Sequence, residues 1–334
     1  MFTMTLGEAA QVAGRRFVRV ALLPGLIFCF LLVVVASVGG ERPPGALLRA
    51  WKSQPVEVKA FLVAGFVAAV LLVAAFLDSA QSALLRYAEG RWAGIADRSL
   101  GRLGRRCHRL RLLRLADGPA HHLYPPLTRL HEVRPTRLGN ILTSAELYPQ
   151  LRYGIDAVLV WPRLFPLLPG GLLGALATAR AELSAHLVRA VLSCAFAVLA
   201  SCYVAVQGGP PTLLLICLWG GVLLALASYR GALNAAVVYG QHVRVAFDLH
   251  RNDLLAVLGE ERRPGGEAER DHWKRLCLFW HRGVPTNHQI PPVESPRTAA
   301  DIPDARSRPG VSLTQVTVAA AAAAGLAAVL VPHL

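Results

Sequence analysis

His121, His122, His131 and Glu132 are the residues of this 334-residue chain that most resemble a metal-ligating set. A divalent ion needs three or four such donors converging, as on an HExxH or HxxxH helix, and the spacing here gives neither. Pro125-Pro126 breaks any helix that would align them, so loop histidines are expected. His242, Asp248, His250 and Asp253 fall on one predicted helix, where Arg244 stands four before Asp248, the spacing of a surface salt bridge. Cys29, Cys107, Cys194, Cys202, Cys217 and Cys277 contain no CxxC, and four of them lie in apolar runs as small hydrophobes; neither zinc nor a disulfide is expected. GxSxG, P-loop and GxGxxG patterns are absent, and no serine or cysteine has a positioned base. The reading is a non-enzyme with no cofactor.

Two other constellations are better built for recognition than for catalysis. Arg102, Arg105, Arg106 and Arg109 form a stripe beside Leu100, Leu103, Cys107 and Leu110 at helical spacing. That pattern makes a candidate anionic-lipid patch, each arginine being worth about 1 kcal/mol near such a surface. Nucleic acid is not the expected partner, because aromatics are not interleaved and no helix-turn-helix or finger spacing occurs. The stretch 134–166 mixes turn residues, aromatics and arginines around one acid, Asp156. Asn140 or Thr143 is placed to cap a helix, Thr143 with Glu146 in capping-box spacing, and Tyr148-Pro149 is expected to end it. Asp156, inside an apolar run, is expected to pair with Arg137, Arg152 or Arg163. Arg137, Asn140, Tyr153, Asp156, Trp161 and Arg163, with Phe247, Asp248 and Asp253 from the later helix, are the predicted docking core.

The elements that must carry these residues are dominated by lipid-soluble runs. The chain is 54% apolar with a mean hydropathy of +0.43, and its apolar residues are clustered rather than periodic. Runs at 17–38, 60–77, 190–206 and 212–228 are each long enough to span a bilayer core. The first is too long for a signal-peptide core and is read as a retained span. The run 316–331 is a weaker candidate fifth span, because alanine contributes little to insertion. A polar lead at 1–16, a mostly helical domain at 78–186, helices at 229–282 and a Pro- and Ser-rich linker at 283–310 complete the division.

The net charge of +14 comes from arginine, lysine occurring only at 52, 59 and 274, and its placement sets orientation. Arg15, Arg16 and Arg19 precede the first span, Arg86 and Arg91 follow the second, Arg180 and Arg189 precede the third, and Arg230 and Arg244 follow the fourth. The positive-inside rule then places the N-terminus and both polar regions in the cytosol, with Arg42, Arg49 and Lys52 dissenting. The spans lack ionisable groups at depth, which argues against proton-coupled transport and intramembrane catalysis. Small residues four apart, Ser193, Ala197, Ser201 and Ala205, with Gly221 and Ala225, and with Gly65 and Ala69, suit close helix packing within the chain or between copies.

PTRLGN at 135–140, YGIDAVLVWPRL at 153–164, AFDLHRNDLL at 246–255 and EAERDHW at 267–273 resemble the motifs of a family of uncharacterised multi-pass membrane proteins of bacteria. The likeness runs from the first span to about Gly283, and it implies that the four stretches act together without supplying catalytic residues. The expected fold is an all-α membrane protein of two transmembrane helical hairpins, with extended cytosolic helices forming a mostly helical domain. In it the AFDLHRNDLL helix packs on the YGIDAVLVWPRL segment. The expected role is a non-enzymatic scaffold or sensor in the inner membrane, apposed to its anionic leaflet and binding a protein partner or a second copy. The alternative is a channel or transporter component formed by oligomerised spans.

Overall fold

A computed structural model describes residue 14 and residues 17–39, 46–95, 97–114, 123–262 and 266–283. The linker from 284 onward and the run 316–331 lie outside the described residues, as do His121 and His122. Every regular element among the described residues is helical. In chain order these are α1 (Val18–Val38), α2 (Ala46–Ser53), α3 (Val56–Ala88), α4 (Arg102–Arg114), α5 (Arg137–Tyr153), α6 (Ala157–Leu164), α7 (Gly170–Val206), α8 (Pro211–Leu258) and α9 (Gly266–Arg282). A 3-10 segment, Leu127–Glu132, leads toward α5, and another, Phe165–Leu167, follows α6.

Four of these, α1, α3, α7 and α8, are long and apolar enough to cross a membrane. Their outward faces carry Phe61, Leu72, Phe76, Ile216 and Leu223, all more than 60% exposed. Side chains of this kind, in contiguous bands far larger than a water-soluble protein shows, require lipid around them. The chain is a multi-pass membrane protein.

The expected runs 17–38, 60–77, 190–206 and 212–228 each fall within one of these helices, apart from Phe17 at the lip of α1, but the helices overrun them. α3 was expected to continue past its span, as was α8; the extension of α7 was not. It begins at Gly170, so residues 170–186, assigned in sequence to the polar domain, are the first turns of the same helix. Ala, Leu, Arg and Glu keep helix propensity high across that stretch, and nothing in it stops the helix.

α7 and α8 pack along their lengths. At Gly221 a Cβ would strike Ala197 and the Ser193 carbonyl, so the absence of a side chain lets the two backbones approach. Ser193, Ala197, Ser201 and Ala225 are buried with Gly221 in this seam, so most of the small-residue pattern serves packing within the chain. Gly65 and Ala69 are exposed. α1 lies against α7, with Val20 and Ala21 among Ala74, Leu77, Val188 and Leu192, and Val35 in one cluster with Ala200, Val204 and Cys217. α5 rests across the extended parts of three helices, through Leu138 and Ile141 on Leu85, Leu183, Leu187 and Ala232.

Candidate functional site

The N-terminus of α5 is set by Thr136, whose hydroxyl accepts from the Gly139 amide at 3.0 Å. This corrects the expectation that Asn140 or Thr143 caps the helix. Asn140 is fully buried inside the first turn, its Oδ1 accepting from the Arg134 amide at 2.8 Å and its Nδ2 donating to the Arg134 and Thr136 carbonyls at 3.0 and 2.8 Å. A buried amide with its donors and acceptor satisfied holds the Arg134–Thr136 turn in one shape. Pro149 does not end the helix either. It sits buried within α5, which runs on to Tyr153 and stops at Gly154 in the left-handed region, φ 76°. There a Cβ would also meet the Arg270 backbone, so a glycine is required twice over.

Asp156 also departs from expectation. Its carboxylate accepts from the Val158 and Leu159 amides at 3.0 and 3.4 Å, capping α6. The charge expected to need an arginine is satisfied by helix amides.

From these two starts, α5 and α6 converge with α8 and α9 in a joint. Ile155, Val160 and Leu164 pack with Ala246, Phe247, Leu254, Leu255, Trp273 and Leu276, so the expected contact between the YGIDAVLVWPRL and AFDLHRNDLL stretches is present. Phe247 and Trp273 are fully buried, and Trp161 meets the Phe247 ring at 5.7 Å between centroids. At its polar edge the Asp248 carboxylate accepts from Tyr148 at 2.9 Å and from Tyr153 at 2.7 Å. Arg251 donates to Glu269 at 2.8 Å and to the Asp248 carbonyl, and its guanidinium lies 4.0 Å from the Tyr153 ring centroid. Arg163 covers Trp280 in the same manner at 4.4 Å.

Partial burial and the bond to Asp248 push Tyr148 up to about 12, and the same two causes raise Tyr153. Phenols so placed donate hydrogen bonds and stay protonated near neutrality, which suits a structural clasp better than acid–base chemistry.

Of the predicted docking core, Tyr153, Trp161, Arg163, Phe247 and Asp248 meet in this joint and Asp156 borders it. Asn140 belongs to the other end of α5, and Arg137 is exposed there. Asp253 points away from the joint in an exposed pair with His250 at 2.7 Å. The sequence reading missed Tyr148, Arg251, Glu269 and Trp273. Arg244, expected to pair with Asp248, reaches the Ser144 hydroxyl at 2.9 Å and lies over the Tyr148 ring.

A second constellation surrounds the predicted arginine stripe. Below the end of α3, a cleft of about 560 Å³ is walled by Arg91 and Trp92, by Asp97, Arg105 and Arg109, and by residues 131–135. Its floor is tightly built, because glycines from three elements converge. A Cβ at Gly90 or Gly104 would collide with Pro135, and one at Gly139 with the Glu89 carbonyl. Arg105 is bound to Asp97 at 2.6 Å, a bond that holds the Asp97 carboxyl below the usual carboxylate range. His108, packed on Tyr124 with a 3.2 Å hydrogen bond, is held below the usual histidine range by burial, with Arg111 and Arg137 adding to it.

Arg105 and Arg109 face the cleft, while Arg102 and Arg106 are exposed outside it. The predicted stripe is therefore divided between an inner and an outer face. Leu100, Leu103, Cys107 and Leu110 are all exposed, and Leu112 is the side chain that α4 buries. Among the described residues no group of three or more His, Cys, Asp or Glu has metal-binding proximity.

Comparison with models of protein families, with curated proteins and with solved structures gives no match in any of the three. The resemblance described above thus rests on its four motifs, and function must be argued from the joint and the cleft.

Proposed function

We propose that this protein is a non-enzymatic membrane scaffold or sensor, presenting a helical body for association with a protein partner or a second copy. In this reading α1 with α3 and α7 with α8 form two transmembrane hairpins in the inner membrane. The N-terminus and the body built from α4, α5, α6, α9 and the extended turns of α3, α7 and α8 lie in the cytosol, where the arginine distribution favours them.

The observation that supports this best is the continuity of α8. Its 48 residues, about 72 Å of helix, carry a membrane-length apolar stretch and, without interruption, Phe247 and Asp248 of the joint. A change in the tilt or packing of that span is delivered to the joint by a rigid rod, and the reverse holds for a partner seated on the body. Protonated tyrosines and neutralised charges at the joint fit transmission better than turnover.

The test is crosslinking in native membranes, followed by purification of the full chain in mild detergent, for wild type and Asp248→Ala. The expected result is a discrete crosslinked species in wild type that the variant loses, while the variant still partitions to the membrane. The same species from both proteins would sink the proposal. So would ion or solute flux through proteoliposomes carrying the wild type, which is the outcome a channel predicts.

A further inference from the structure

Three arginines of the cleft are each held through Nε, unlike Arg105 beside them, whose Nη nitrogens are taken by Asp97. Arg91 is tethered through Nε to Glu89 at 2.8 Å, Arg109 through Nε to the Leu130 carbonyl at 3.1 Å, and Arg134 through Nε to the Thr143 hydroxyl at 3.4 Å. Each tether fixes the plane of a guanidinium, and the terminal Nη nitrogens of all three carry no hydrogen bond to the described residues. Three oriented forks therefore border one cavity, whose acids are otherwise engaged: Asp97 with Arg105, and Glu132 with Arg129 at 3.8 Å and His131 at 3.5 Å. The glycine-built floor brings α3, α4 and the Arg134–Thr136 turn closer than side chains would permit, so the forks sit on backbone that packing has fixed.

Guanidinium pairs its two Nη donors with two oxygens of one acceptor group, and several forks around one cavity match a tetrahedral oxyanion better than a single carboxylate. We propose that this cleft is a binding site for a phosphate group, held by Arg91, Arg109 and Arg134. The group belongs either to an anionic lipid headgroup or to a soluble phosphate ester. The lipid source has local support, because Leu100, Leu103 and Leu110, on the helix that carries Arg105 and Arg109 or the turn leading into it, are each at least half exposed. The site does not depend on whether the body binds a partner, so it stands or falls separately from the scaffold reading.

The experiment uses the full-length chain, purified in neutral detergent and stripped of lipid. One arm counts phosphatidylglycerol against phosphatidylcholine retained by native mass spectrometry; the other titrates inorganic phosphate and glycerol phosphate by calorimetry. Retention of phosphatidylglycerol, displaced by phosphate, identifies a headgroup seat. Saturable binding of the soluble phosphates without lipid preference identifies a soluble ligand. In either case Arg109→Gln should weaken binding roughly tenfold, the loss expected of one charge-assisted bond pair.

Arg102→Gln with Arg106→Gln removes two charges from the outer face of the same helix and should leave binding unchanged. Circular dichroism and size-exclusion profiles establish that both variants fold; if Arg109→Gln does not, Arg91→Gln takes its place. No saturable binding in either arm overturns the site. So does an equal loss in the outer-face variant, which would mean that bulk charge, not the cleft, attracts the anion.

Discussion

Arginines, acids and aromatics occur together in two places in this molecule, and the two are built on opposite terms. At the joint, Arg251 ends on Glu269, on the Asp248 carbonyl and on the face of Tyr153, and Arg163 ends on Trp280. At the cleft, Arg91, Arg109 and Arg134 are anchored at one nitrogen and open at the others. Residue types alone do not separate a structural cluster from a receptive one. What separates them is whether the neighbours use up the donors, and the apolar core beneath the joint is far larger than the Leu112, Tyr124 and Val133 cluster beside the cleft.

That contrast predicts where stability resides. Trp273→Ala removes a fully buried side chain from the joint and should cost about 3–5 kcal/mol, read as a lowered unfolding midpoint in detergent. A loss comparable to that of an exposed side chain such as Trp51→Ala would show that the joint is not a core. The cleft has one equally unforgiving point, its floor. Gly139→Ala drives a methyl into the Glu89 carbonyl, which is backbone and cannot rotate away, and should cost about 3 kcal/mol.

Intermediate effects belong to the polar edge of the joint. Asp248→Ala leaves the Tyr148 and Tyr153 hydroxyls without their acceptor and should cost about 2 kcal/mol. The same bond has a signature in alkali. The Tyr148 pKa is raised to about 12 from an ordinary value of about 10, so the unfolded chain loses that proton first. The clasp therefore contributes fully below about pH 10, and its contribution declines as pH rises toward 12. Tyrosinate absorbance should show a late-titrating component that Tyr148→Phe removes; a wild type whose tyrosines all titrate near 10 would contradict the clasp.

The spans were legible because lipid contact is a property of composition, and a run such as 212–228 declares itself without reference to any partner. The overruns of α3 and α8 were legible too, but the start of α7 was not, since Arg180, Glu182 and Arg189 look like the surface of a separate domain yet sit on the flank of that helix. The meeting of Phe247 with Trp161 could be anticipated from two aromatic-bearing motifs of matching polarity. Tyr148 could not, because Pro149 reads as a stop; only a helix that tolerates one missing donor carries Tyr153 onward to the same carboxylate. The cleft was half legible. Its arginines repeat at helical spacing, but the tethers to Glu89, Leu130 and Thr143 come from other elements, and no local pattern encodes them.

The smallest expected effect is at the rim of the cleft, where Arg105 and Asp97 form a half-buried pair. Two charges still in reach of water gain little Coulomb energy beyond what water already gives them, so Arg105→Gln should move the unfolding midpoint by no more than about 2 °C at neutral pH. The direction with pH is fixed by Asp97. Its folded pKa is depressed by the hydrogen bond from Arg105, so any stabilisation is present above the ordinary carboxylate value of about 3.9 and fades as pH falls through the lowered one. Midpoints of wild type and variant, followed from pH 7 to pH 3, should thus begin slightly apart and converge in acid. A gap at pH 7 as large as that of Asp248→Ala would mean that the rim is as structural as the joint, and the division between a closed cluster and a receptive one would fail.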